Sequence, residues 1–195
     1  MSKKVIIGID LAGKEKNPTG WAVWQNKTVS AHEVYGDEEI IHRSVKWSPT
    51  IIAIDAPLSL PEKGIMRKAD REMYKHGYPV FPPRFPAMEK LTLRAIKITK
   101  QLAESGFDVI EVHPASTRKA LQMPVKEWGK IQAVFEHIGL KGNWITKSLT
   151  PHEVDAITAA LTAHLYLQGK TESVGEREEG YIIVPKKSDW RKLHL

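Results

Sequence analysis

Lys3-Lys4-Val5-Ile6-Ile7-Gly8-Ile9-Asp10 is a short, β-branched apolar run that ends on an acid. Such a run reads as a central strand buried on both faces. Ile51-Ile52-Ala53-Ile54-Asp55 repeats the pattern, again closing on Asp. Between them, Trp21–Trp24 and Thr28–Val34 flank the polar Gln25-Asn26-Lys27, which predicts a hairpin. The first three strands then form an antiparallel meander, and the Ile51–Asp55 strand follows a short helix over Asp37–Trp47. Asp37-Glu38-Glu39 at the front of that helix complements its dipole.

Beyond Asp55, Pro57 and Pro61 interrupt regular structure. A short charged helix is expected over Arg67–Lys75, then a Pro-rich loop over Gly77–Pro86 (GYPVFPPRFP), long enough to suggest function. Helical periodicity runs from Met88 to Ser105 and stops at Gly106. Asp108–Val112 reads as another buried strand, and Ala115–Leu121 and Lys130–Ile138 as helical pieces. Thr150-Pro151-His152-Glu153 is a capping box with Pro at the first helical position, opening a helix that ends at Gln168-Gly169. Tyr181–Val184 is one late strand, expected at an edge. The organisation that follows is a single α/β domain over 1–195, with a basic Pro-rich insertion at 62–87 and a C-terminal strand and tail at 176–195.

The 195 residues carry 29 basic and 23 acidic side chains, a formal net charge of +6. The excess sits in the middle: residues 62–147 hold 16 basic and 9 acidic side chains, whereas the flanking segments nearly balance. A localised basic surface suits a polyanion, nucleic acid first among them, although a lysine-rich surface also simply solubilises. The absence of cysteine excludes disulfides, thiol chemistry and Cys-based zinc sites. No apolar run is long enough to span a membrane, and the N-terminus does not resemble a signal peptide, so a cytoplasmic location is expected.

Three acids stand out by position. Asp10 and Asp55 each end a strand, and Asp155 lies in the first turn of the capped helix. Ligands of α/β folds bind at strand ends. If the two strands are neighbours, their terminal Asp Cα atoms lie about 5 Å apart. Two carboxylates that close require a cation or a shared proton. A third acid completes an all-oxygen site suited to Mg²⁺ or Mn²⁺. Singly, each Asp is equally at home as a turn former or cap. His152 shares a helix face with Asp155 and is a metal ligand, a proton carrier or an exposed helix-start residue. Glu153 belongs to the cap. Glu111 and His113 alternate onto one side of their strand and either face the site or form a buried polar pair. On the last helix, Asp155, Thr158, Ala159 and Thr162 form a small or polar stripe expected to approach the sheet, beside an apolar stripe of Val154, Ile157, Leu161 and Leu165.

The string His152-Glu153-Val154-Asp155-Ala156-Ile157-Thr158-Ala159-Ala160 resembles the C-terminal helix of Holliday-junction resolvases of the ribonuclease H-like superfamily, and Gly8-Ile9-Asp10 resembles its first-strand motif. Glu111-Val112-His113-Pro114-Ala115, with Arg118-Lys119 and Lys130-Ile131-Gln132 beyond it, is similar to their last-strand Pro and the region after it. The ordered set resembles more closely the predicted-nuclease family called domain of unknown function 429, with an archaeal source expected. That set is Gly8-Ile9-Asp10-Leu11-Ala12, Ile54-Asp55-Ala56-Pro57-Leu58-Ser59-Leu60-Pro61, Arg67 with Asp70-Arg71, Pro82-Pro83, Glu111-Val112-His113-Pro114 and Asp155-Ala156. The resemblance implies a ribonuclease H-like fold, a mixed five-stranded sheet of order 3-2-1-4-5 with helices on both faces. It also implies a carboxylate cluster of Asp10, Asp55 and Asp155, with His152 at a position that is Asp or His in the resolvases. Ordinary ribonuclease H carries Glu where this chain has Asp55, a carboxylate one methylene shorter, and Glu111 is a possible substitute ligand.

The function expected from this reading is metal-dependent hydrolysis of phosphodiester bonds in nucleic acid. Two cations on Asp10, Asp55 and Asp155 would activate water and stabilise the leaving oxygen. His152 would carry a proton, Arg67, Arg71 and Arg84 would hold phosphates, and the Tyr78–Phe85 loop would stack bases. A non-catalytic nucleic-acid-binding scaffold is the alternative. A phosphotransferase of the actin and sugar-kinase type fits less well, because Asp10-Leu11-Ala12-Gly13 offers one glycine where that class uses glycine-rich phosphate loops.

Overall fold

The computed structural model describes residues 4–195, so Lys3 lies outside the described residues. In chain order the elements are β1 (Val5–Asp10), β2 (Thr19–Gln25), β3 (Thr28–Val34), α1 (Asp37–Lys46), β4 (Ile51–Asp55), α2 (Lys68–Lys75), α3 (Pro86–Glu104), β5 (Val109–Val112), α4 (Pro114–Ala120), α5 (Trp128–His137), β6 (Lys141–Gly142), α6 (Pro151–Leu167), β7 (Thr171–Glu176) and β8 (Gly180–Pro185). They build one eight-stranded sheet of order β6-β3-β2-β1-β4-β5-β8-β7. The expected order 3-2-1-4-5 is its centre. The expectation of five strands is corrected to eight, because β6 extends one side and β8 and β7 the other.

The β1–β2–β3 meander is antiparallel, and β1 then pairs β4 in parallel. A parallel neighbour needs a crossover, and α1 supplies it. Its first residue, Asp37, is buried and accepts from Arg94 Nε at 2.7 Å and Lys97 Nζ at 3.0 Å, which ties α1 to α3. β1 and β4 are buried on both faces, which is why their sequences are continuous apolar runs rather than alternating ones. On one face, Ile7, Ile9, Ile52 and Ile54 pack with Ile40 of α1 and with Ala95, Ile98 and Leu102 of α3. Each fully buried isoleucine of this layer contributes about 2 kcal/mol by removal from water. On the other face, Ile6, Trp24, Ala53 and Val112 pack against α6.

α6 is the central helix, buried continuously from Val154 to Ala163 apart from Asp155. Its capping box forms as expected: Thr150 Oγ1 accepts from the Glu153 N–H at 3.3 Å, and the Glu153 carboxylate accepts from the Thr150 N–H at 2.9 Å. The expected stripes are corrected. The sheet is met at closest range by Ala156 and Ala160, which lie against Gly8. The hydroxyl stripe faces α4 instead, where Thr162 Oγ1 lies 2.7 Å from Thr117 Oγ1.

The second correction concerns the late strands. Tyr181–Val184 is not an edge: β8 pairs β5 in parallel and β7 antiparallel, so the edge is β7. Thr-Glu-Ser-Val-Gly-Glu has little strand character of its own and is recruited by its partner. α2 and the segment after it cover this pair, burying Ala69, Met73, Tyr78 and Val80 against Val174, Ile182 and Val184. Among the described residues no helix is long and apolar enough to cross a membrane.

Candidate metal centre at the sheet edge

Asp10 and Asp55 are partners in the β1–β4 register, each the last residue of its strand. Parallel-strand spacing puts their Cα atoms about 5 Å apart. α6 reaches the same edge because the two strands beneath it carry glycine at the crossing points. A Cβ at Gly8 would lie 2.1 Å from the Ala156 carbonyl oxygen, and one at Gly20 would lie 2.0 Å from that of His152. Backbone on backbone, the first turns of α6 deliver His152 and Asp155 to the strand ends.

His152 Nδ1 lies 2.7 Å from Asp10 Oδ2. The Asp10 carboxylate raises the His152 imidazole above its ordinary value, against the smaller effect of partial burial. Asp155 is bound by the Arg118 guanidinium from α4. Burial raises the Asp155 carboxyl, with Arg118 pulling the other way. Asp55 is pushed well above the usual carboxylate range, first by burial and then by the negative charges of Asp10 and Asp155. Arg118 is the counter-charge that acts on it. Three hard oxygen donors with a shortfall of positive charge fit a divalent cation. Among the described residues, however, no three His, Asp or Glu side chains already stand grouped for ligation. Asp10 and Asp55 are the adjacent pair, and Asp155 is engaged by Arg118.

A cavity of about 200 Å³ opens beside the pair, lined by Asp10, Asp55, Glu111 and His113 with Phe81, Met88 and Leu91 as apolar wall. Asp155 and His152 do not line it. Phe81 is 67 % exposed, and Phe85 is also exposed. Tyr78, read in the sequence as part of a stacking loop, is instead buried under α2.

Glu111 lines the cavity but is already saturated. Its register partner on β4 is Ile54, so it projects from the sheet face opposite α6. Its oxygens accept from Arg67 Nη1 at 2.7 Å, Arg67 Nη2 at 2.6 Å and the Leu58 N–H at 2.8 Å. Arg67 is 0 % exposed and donates also to Asp70 and Ser59. The exposed phosphate contact expected of Arg67 is therefore replaced by a buried Glu111–Arg67–Asp70 bridge that anchors the start of α2. Arg71 donates to the Met66 carbonyl and stands beside Glu62, Glu176, Glu178 and Glu179, a poor setting for a phosphate. Arg84 is exposed in the loop between Phe81, which lines the cavity, and Phe85. His113 caps α4, with Nδ1 2.7 Å from Ser116 Oγ; burial and Arg118 lower its pKa to about 4, so it is neutral.

Arg118 is the residue of this edge that sequence reasoning left without a role. It lies in the last turn of α4, where a basic residue is ordinary, and its residue type does not distinguish it from a solvated one.

Comparison with solved structures finds Thermus thermophilus RuvC in complex with a Holliday junction substrate, at 17% sequence identity and a TM-score of 0.50, covering 85% of this chain and 96% of that one. A second Thermus thermophilus RuvC structure matches at 18% identity and a TM-score of 0.40, with the same coverage. The likeness to the first establishes the ribonuclease H-like fold. No curated protein matches the chain. Residues 8–132, which include Asp10, Asp55, Glu111 and Arg118, match the family described as Protein of unknown function (DUF429), and the chain belongs to that family.

Proposed function

We propose that the chain is a metal-dependent nuclease that hydrolyses phosphodiester bonds at the edge where Asp10, Asp55 and Asp155 meet. The observation that carries this reading is the register pairing of Asp10 with Asp55, with α6 bringing Asp155 and His152 to the same point. The acids are paired more densely than their local cations neutralise, and that arrangement suits a bound ion. Asp10 and Asp55 would hold Mg²⁺ or Mn²⁺, which would supply Lewis-acid stabilisation of charge on the phosphoryl oxygens.

The chain's own groups do the rest. Asp10 orients His152 through Nδ1, leaving the other ring nitrogen to hold and release a proton at the reacting oxygen. The same carboxylate raises the imidazole above its ordinary value, which favours proton uptake there. Arg118 holds Asp155 in place. Arg84 and Lys90 are exposed on the loop and helix start that wall the cavity, and they suit backbone phosphates. Phe81 offers an exposed ring for an unstacked base. The junction-bound RuvC structure supports nucleic acid, and branched DNA within it, as the first substrates to try.

The test is a cleavage panel of branched, duplex and single-stranded DNA and RNA in Mg²⁺ and Mn²⁺, with Asp10→Asn as control. The expected outcome is cleavage by the wild type and retained binding without cleavage by the variant. Equal cleavage by Asp10→Asn overturns the reading. Salt-dependent binding with no cleavage by the wild type in either ion identifies a binding scaffold instead.

A further inference from the structure

Resting on the reading of Asp10, Asp55 and Asp155 as the metal centre, we propose that Arg118 is a built-in cation of that centre, so that the cluster takes one divalent ion rather than two. The guanidinium is 3 % exposed. Its Nη1 donates to the Asp155 carboxylate and, at 3.3 Å, to Thr158 Oγ1. Its carbon lies 5.5 Å from the centre of the Trp128 ring, which covers it from α5. Its Nε is buried and without a hydrogen-bond partner among the described residues. A side chain that gives up a donor to stay in place is held there by its charge. Arginine cannot shed that charge by deprotonation.

Charge then sets the occupancy. Three carboxylates less one guanidinium leave two negative charges, the charge of one divalent ion. A second ion would have to share Asp155 with Arg118, placing a doubly charged cation a few ångströms from a fixed positive one inside a poorly solvated edge. Asp155 is the acid that Arg118 already holds, whereas Asp10 and Asp55 stand side by side. The ion therefore belongs on Asp10 and Asp55, and the guanidinium takes the place a second ion would fill. The shortness of Asp55 fits the same outcome, since one bound ion asks less reach of it than a bridged pair.

The test counts Mn²⁺ per chain on the full protein, by the loss of the free-ion electron paramagnetic resonance signal and by calorimetry at submillimolar ion. The wild type is expected to bind one. Arg118→Met keeps length and the contact with Trp128 but removes the charge, and it is expected to bind two; Arg118→Lys retains the charge and is expected to bind one. Asp155→Asn is expected still to bind one, and it tests the inference should Arg118→Met fail to fold by circular dichroism. Two ions in the wild type, one in a folded Arg118→Met, or loss of the ion in Asp155→Asn each overturns the proposal, as does no ion in the wild type. The count needs no cleavage, so a chain that binds one Mn²⁺ and cuts nothing sinks the nuclease reading and leaves this one standing.

Discussion

The backbone of Gly8 on β1 lies against that of Ala156 on α6 so closely that a methyl group at position 8 would fall 2.1 Å from the Ala156 carbonyl oxygen and 2.6 Å from the Ala160 nitrogen. The glycine sits two residues before Asp10, and Ala156 directly follows Asp155. The contact that docks the helix is thus also the contact that sets the spacing of the acids.

Gly8→Ala should push α6 off the sheet. The atoms it meets are backbone, so they cannot rotate aside, and overpacking of this kind costs about 1–3 kcal/mol. Urea unfolding should show that loss. Cleavage should fall beyond what the stability change explains, because Asp155 and His152 move with the helix. Wild-type stability in the variant would mean that the helix does not ride on this glycine.

Glu111→Gln should destabilise the protein by about 3 kcal/mol, at the lower end for a broken buried pair because Asp70 still holds Arg67. Burial pushes the Glu111 carboxyl up while Arg67 and the Leu58 N–H pull it down, so the pair survives only as a unit. Mn²⁺ affinity should be retained, since both Glu111 oxygens are committed to Arg67 and Leu58. Loss of the metal with stability intact would instead make Glu111 a ligand.

His113 should give stability an acid limb. Its folded pKa is depressed to about 4 by burial and by Arg118, below the ordinary 6.5. Between those values the unfolded chain binds the proton and the folded one does not. Stability therefore falls as pH drops from 6.5 towards 4, by up to about 3 kcal/mol for this group. Asp55 and Asp155, with raised values, act in the opposite sense, so the comparison must be with His113→Asn. Urea titrations at pH 7.5 and 5 should show a smaller loss in the variant. Parallel curves would place the imidazole in solvent.

His152 should titrate above an ordinary histidine, and Asp10→Asn should return it towards 6.5, because the Asp10 carboxylate is the main cause of its shift. The sign follows: a raised folded value adds stability that is complete below 6.5 and lost as pH rises through the folded pKa. Imidazole proton shifts followed by NMR in the metal-free protein would report both. An unchanged midpoint in Asp10→Asn would break the Asp10–His152 link.

Residue type alone was enough for the elements whose burial it encodes. β1 and β4 are apolar runs because both faces are covered, α6 announces its start through a capping box, and Asp10, Asp55 and Asp155 stand at element ends where only a turn, a cap or a ligand is at home. Those signals are local, and the centre of the sheet follows from them. Which charges meet depends on the folded chain. Arg67 and Arg118 look like solvated arginines on short helices, and both are buried, one saturating Glu111 from β5 and the other holding Asp155. β7 likewise has no strand pattern and exists because β8 offers it an edge. Pairing of this sort depends on distances between segments far apart in the chain, whereas residue type and spacing report only what lies within a few residues. The three acids were visible as positions; the cations that set how many ions they can hold became visible only once the chain had folded.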